Sequence, residues 1–233
     1  MKPESHAAAI QSELASLDEL SIARRVALGD RVAFEFLMRR HNRRLFRLAR
    51  ASLCDDAEAK DALQDAYLGA YRSLGKFRGD ATLSTWLSRL VLNECNSRRR
   101  RTSRRENIVS IVSANHHMAE YSKVCEPGQS PQDLAARAQL RGILEQKVEA
   151  LPESFRVVFV LRTIEEMPVE EVAAALDISP ETVRSRHFRA KGLLRESLAR
   201  EIDMAQSDVF EFGGRHCDAI VATVLAQLTV EDG

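Results

Sequence analysis

Apolar residues recur along this chain at intervals of three and four, the spacing that lines one face of an α-helix, and almost nowhere do they alternate as a strand requires. Phe34, Leu37, Met38, Leu45 and Leu48 mark one helix, whose other faces carry Arg39, Arg40, Arg43, Arg44, Arg47 and Arg50. After the acidic break Cys54-Asp55-Asp56, a second helix places Leu63, Ala66, Tyr67, Ala70, Tyr71 and Leu74 on one side and Asp61, Gln64, Asp65, Leu68 and Arg72 on the other. Phe77-Arg78-Gly79-Asp80-Ala81-Thr82 interrupts the period, and the glycine permits a turn. From about Leu83 the pattern resumes with Leu83, Leu87, Leu90 and Val91 inward. Arg89, Asn93, Asn96, Ser97 and Arg100 form a polar face that runs into a block of arginines.

The most informative stretch runs from Met167 to Arg195. Val169, Val172, Ala173 and Leu176 predict a short helix with one buried face. Ser179-Pro180-Glu181 then supplies an N-cap hydroxyl, a proline at the first helical position and a carboxylate at the positive helix end. A second helix follows, with Val183, Ala190, Leu193 and Leu194 inward and Arg184, Ser185, Phe188, Arg189 and Lys191 outward. This is a helix-turn-helix whose outward face suits DNA: arginine grips phosphate or forks onto guanine, and Phe188 meets a thymine methyl. His187, four residues after Val183, is expected to pack rather than to read bases. Leu151 to Ile164 are expected to support the pair, with Phe155, Val158, Phe159 and Leu161 in the core.

Composition narrows the class further. The chain has 233 residues, of which 45% are hydrophobic, enough for one large core or two small ones. Only ten glycines and six prolines interrupt it, so the fold is expected to be all-α. Thirty-four basic and 34 acidic residues cancel, so attraction to nucleic acid must come from local patches such as Arg98 to Arg101 with Arg104 and Arg105. The N-terminal segment, with Glu4, Glu13, Asp18 and Glu19, is acidic. Cys54, Cys95, Cys125 and Cys217 are isolated, and with no secretory leader and no apolar run long enough to span a bilayer, the expected location is the cytoplasm. No phosphate loop, zinc-protease motif or nucleophile elbow points to an enzyme. His116, His117 and Cys125 lack the spacing of a metal site.

The segments DALQDAYLGAYRSLGKFRG, TWLSRLVLNECNSRRRR and LPESFRVVFVLRTIEEMPVEEVAAALDISPETVRSRHFRAKGLL, in this order over roughly residues 20 to 200, resemble a bacterial RNA polymerase sigma factor of the extracytoplasmic-function group. The resemblance implies two small helical domains, sigma region 2 over residues 20–101 and sigma region 4 over 134–203, joined by a flexible linker at 102–133 and followed by a C-terminal helical extension at 207–233. It implies that Asp61, Gln64 and Asp65 meet the coiled-coil clamp of core RNA polymerase. Phe77, Arg78, Asp80, Asn93 and Arg100 would take the melted minus-10 element, where a flipped base is captured. Arg184, Ser185, Phe188, Arg189 and Lys191 would read the minus-35 duplex. The implied partners are core polymerase, promoter DNA and an anti-sigma factor, with no cofactor, no metal and no membrane insertion. The competing reading is a stand-alone helix-turn-helix regulator, which leaves the acidic face and the Phe77 loop without a purpose. In the extension, Cys217, Ile220, Val221, Val224, Leu225 and Leu228 predict an amphipathic helix.

Overall fold

A computed structural model of the chain describes residues 13–106, 131–207, 219–220 and 222, and every regular element among them is a helix. Met1–Gly192 form one compact unit and Leu193–Gly233 a second. After a helical turn at residues 13–16, helix α1 (Glu19–Ala27) starts where Asp18 accepts a hydrogen bond from the Ser21 amide and buries Ile22, Ala23 and Val26. Gly29, at φ +94°, makes a turn that other residues resist. Asp30 then caps α2 (Arg31–Leu53) by accepting from the Val32 and Ala33 amides, a service worth about 1 kcal/mol.

Leu37, His41, Leu45 and Leu48 make the buried stripe of α2. The three leucines are at most 1% exposed, and each such burial stabilises the fold by roughly 1.5–3 kcal/mol. Against that stripe lies α3 (Asp56–Ser73), capped by Asp55, whose buried Ala59, Ala62, Ala66 and Ala70 let the backbones approach closely. A single 3-10 turn, Leu74–Lys76, leads into the loop expected from the sequence, with Gly79 at φ +80°. The long helix α4 (Leu83–Glu106) completes the group by packing on α2 and α3 through Leu83, Leu87, Val91 and Cys95. It runs through the arginine block, so regular structure reaches past residue 101 into the segment expected as linker.

The second group begins with α5 (Pro131–Glu149), followed by α6 (Glu153–Phe159), a π-helical turn (Val160–Ile164), α7 (Val169–Leu176) and α8 (Pro180–Ser207). Its core differs from the expected one. Val158 and Leu161 are buried, but Phe155 and Phe159 are only half-buried, and Arg156, Val157 and Val160 take the interior positions. Phe155 and Phe159, one turn apart, share a face of α6 that lies beside the buried one. Arg156 is tolerated inside because its guanidinium donates to the carbonyls of Ala51, Glu149 and Leu151.

The face of α2 read as a cationic exterior is also different. Arg39, Arg40 and Arg43 are exposed, whereas Arg44, Arg47 and Arg50 are half-buried against the second group, where they meet Glu165 and Glu149. Tyr71 is exposed at the edge of α3, its ring 5.0 Å from that of Phe34. In the second unit Leu193 is exposed rather than inward. Of the expected C-terminal helix, Ala219, Ile220 and Ala222 are helical and exposed; Cys217, Val221, Val224, Leu225 and Leu228 lie outside the described residues, as do His116, His117 and Cys125. No helix among the described residues is long and apolar enough to cross a membrane.

Candidate functional site

Three surfaces gather the residues singled out in the sequence. On α3, Asp61, Gln64, Asp65, Leu68 and Arg72 are all exposed. At roughly 100° per residue they fall in one narrow stripe opposite the alanines that bury the helix. The stripe carries its own counterion. Arg98 of α4 donates to Asp65, to Glu58 and to Glu94, so the polymerase-facing carboxylate expected from the sequence is tied to the neighbouring helix. Leu68, 55% exposed, is an apolar residue among these charges.

The second surface is the loop after α3 and the adjoining face of α4. Arg78 and Asp80 are exposed, but Phe77 is half-buried, packed on the core with its ring 5.8 Å from that of Trp86. The two aromatics brace the loop from below. Phe77 and Arg78, with Leu20, Arg24 and Leu28, line a cleft of about 490 Å³. The far end of the loop is clamped: Glu19 accepts from the Leu83 amide, and the Thr82 and Thr85 hydroxyls both donate to Glu171 of α7. Glu19, read only as part of an acidic segment, therefore caps α4. Sequence spacing gives no signal for a cap supplied from 64 residues away. Asn93 and Arg100 are exposed on α4, and Asn93 lines a second, more polar cavity of about 630 Å³ with Arg89, Asn96, Arg99 and Arg186.

The third surface is the outward face of α8. Asp177 ends α7 in the left-handed region at φ 55°, and the Ser179 hydroxyl accepts from the Thr182 amide to start α8, as the capping residues predict. Val183 and Ala190 are fully buried, which fixes the rotation of the helix. Arg184, Ser185, Phe188, Arg189 and Lys191 consequently occupy a continuous exposed arc of roughly 160°. Phe188 is 77% exposed, an unusual placement for a large apolar ring without a partner. Arg184 lies near Glu170 and Glu181 at 3.7 and 3.5 Å, loose pairs that leave it available. His187 sits on the flank, where its Nε2 is 2.8 Å from the Thr163 hydroxyl; burial, Lys191 and Arg162 hold its pKa below the ordinary value. It joins α8 to the π turn, the packing role expected of it.

Two family models match the chain, Sigma-70 region 2 over residues 37–105 and Sigma-70 region 4 over residues 141–194. The RNA polymerase sigma-H factor of Pseudomonas aeruginosa is 30% identical over 177 residues, covering 76% of this chain and 92% of the relative. The ECF RNA polymerase sigma-E factor of Escherichia coli is 31% identical over 175 residues, covering 75% and 91%. This chain is an extracytoplasmic-function sigma factor of the sigma-70 family. Among solved structures, CnrH in complex with the cytosolic domain of CnrY is 25% identical, with a TM-score of 0.56 over 78% of this chain and 97% of that one. The sigma factor RpoE of Bartonella quintana, solved with the anti-sigma factor NepR, shares the fold at 23% identity and a TM-score of 0.55, covering 71% of this chain and 96% of that one. The α3 stripe, the loop and the α4 face fall inside the region 2 match, and the α8 arc falls inside region 4. As a sigma factor, the protein directs promoter-dependent initiation by RNA polymerase.

Proposed function

We propose that the three surfaces divide the work of initiation between them. The α3 stripe, through Asp61, Gln64 and Asp65, docks on the clamp coiled coil of the large polymerase subunit. The loop with Phe77, Arg78 and Asp80, together with Asn93 and Arg100, holds an unpaired base of the minus-10 element. The α8 arc reads the minus-35 duplex through Arg184, Ser185, Phe188, Arg189 and Lys191. The observation that carries this reading is the arc itself: an exposed aromatic flanked by cations on a helix rotated outward by two buried residues.

No covalent chemistry is assigned to the chain, whose relatives are sigma factors, and its place of action is the cytoplasm, where core polymerase is found. The likeness to CnrH, which was solved with a bound protein domain, supports a protein regulator of the anti-sigma kind for this chain as well. The test is transcription with sigma-free core polymerase and fragmented genomic DNA from the source organism, followed by sequencing of transcript 5′ ends. New starts that share two spaced upstream elements are expected. Tight duplex binding by the protein alone, without polymerase-dependent starts, would instead mean a stand-alone regulator.

A further inference from the structure

The flank of α8 gathers positive charge that the reading of bases does not require. Val183, His187 and Lys191 stand in a row at four-residue spacing, and the row runs from a fully buried side chain through a half-buried one to an exposed one. His187 therefore occupies the seam between the packed side of the helix and its open arc. Its Nε2 lies 2.8 Å from the hydroxyl of Thr163, an exposed residue of the π turn Val160–Ile164. Arg162, next to Thr163, is anchored at the same turn by donating to the Met167 carbonyl.

Among the described residues the charges that bear on the His187 ring are both cations, Lys191 on its own helix and Arg162 on the π turn; burial and these two hold its pKa below the ordinary imidazole value. The carboxylates that border this corner are engaged elsewhere. Glu165 accepts from Arg44 and Arg47, while Glu170 and Glu181 lie beside Arg184, one turn before His187 on α8. Glu166, at the end of the turn, is exposed and is not among the charges that act on the ring. Two cations and an imidazole from two elements thus share one corner. Such crowding is unfavourable in the free protein, and an anion relieves it.

The anion that fits is a phosphodiester. A helix laid in a major groove has a sugar–phosphate backbone along each flank, and contacts to that backbone fix the register of the side chains that read bases. His187 lies about 100° around α8 from Phe188, on such a flank. We propose that His187, Thr163, Arg162 and Lys191 form a seat for one backbone phosphate of the minus-35 duplex, and that the complex gains a proton on His187 as it forms. The proposal rests on the assignment of the α8 arc to that duplex. A phosphate offsets the two cations that oppose protonation, so the ring holds its proton more tightly in the complex than in the free protein. Linkage then makes the duplex bind more tightly as pH falls. His187 reads no base; it sets how firmly, and at what pH, the arc is held in the groove.

The experiment measures holoenzyme affinity for a duplex promoter fragment carrying the mapped minus-35 element, between about pH 8 and 6 and over a range of salt, for the unaltered protein, His187→Gln and His187→Lys. The affinity ratio of the unaltered protein to His187→Gln should grow about fivefold as pH falls across that interval, within the tenfold that one pKa unit is worth. At the acid end the salt slope of His187→Gln should be shallower by about 0.9, the share of one phosphate. His187→Lys, with a permanent charge, should lack the added pH dependence. A second measurement needs no altered protein: with single neutral methylphosphonates stepped along the duplex, one position should give the unaltered protein the pH profile of His187→Gln. The same profile and salt slope in the unaltered protein and His187→Gln, with every methylphosphonate duplex alike, reduces His187 to packing and overturns the seat, provided that Arg189→Ala still weakens binding. A holoenzyme indifferent to Arg189→Ala overturns the minus-35 assignment, and the seat falls with it.

Discussion

Single side chains set conditions that the helices alone do not. His41 is 8% exposed on the inner stripe of α2, and burial, with Arg40 and Arg44 near it, lowers its pKa to about 4. The folded protein keeps this ring neutral, so as pH falls below about 6.5 the unfolded chain takes up the proton first, and stability drains away until the folded ring also titrates near 4. At pH 5 the loss from His41 is about 2 kcal/mol. Denaturant titrations at pH 7.5 and 5 should show it, and His41→Leu should flatten the difference. On α8, Arg189→Ala should lower minus-35 binding by about 1–3 kcal/mol if it forks onto a base, with core polymerase affinity unchanged in a competition assay. Equal loss of both activities would contradict the separation of the two surfaces. The outward direction of Phe188 was legible in the sequence because Val183 and Ala190 fix the rotation of one helix. The burial of Arg156 was not, since its partners include the Ala51 carbonyl of a distant helix.

At the scale of elements, local signals were the readable ones. Ser179-Pro180-Glu181 starts α8 where the residues say it should, because a cap is satisfied within one turn. Ser179→Ala should cost about 1 kcal/mol in thermal or chemical unfolding. The core face of α6 was misread because Phe155 and Phe159, the largest apolar residues, share a helix face beside the one that Arg156, Val157, Val160 and Leu161 bury, and size alone does not say which face packs. The basic side of α2 shows the same limit. Its arginines were plain in the sequence, but the pairing of Arg44 and Arg47 with Glu165, 121 and 118 residues away, follows only from the packing of one helix group on another. On α3, Asp61→Ala with Asp65→Ala should weaken core polymerase binding while the far-ultraviolet circular dichroism stays unchanged, because both side chains are exposed. Normal affinity in that double variant would remove the stripe from the polymerase contact.

For the molecule as a whole, zero net charge conceals a division into an acidic stripe on α3, a cationic arc on α8 and a row of arginines meeting carboxylates between them. Long-range attraction by the whole protein is weak, so the rate at which it finds DNA should depend on salt through local patches alone. Stopped-flow association of the free protein with minus-35 duplex should slow as salt rises from 50 to about 200 mM, and Arg184→Ala should shrink that dependence. The pairing of Arg98 with Asp65 gives the α3 stripe a particular character. That carboxylate already has a cation, so if the stripe docks on polymerase as proposed, meeting an arginine or lysine there exchanges one ion pair for another, with little net change in their number. Such a swap discriminates poorly between basic partners. On the proposed docking of this stripe, discrimination would fall to shape, and the exposed Leu68 would add roughly 1.5–3 kcal/mol only where a matching hollow receives it.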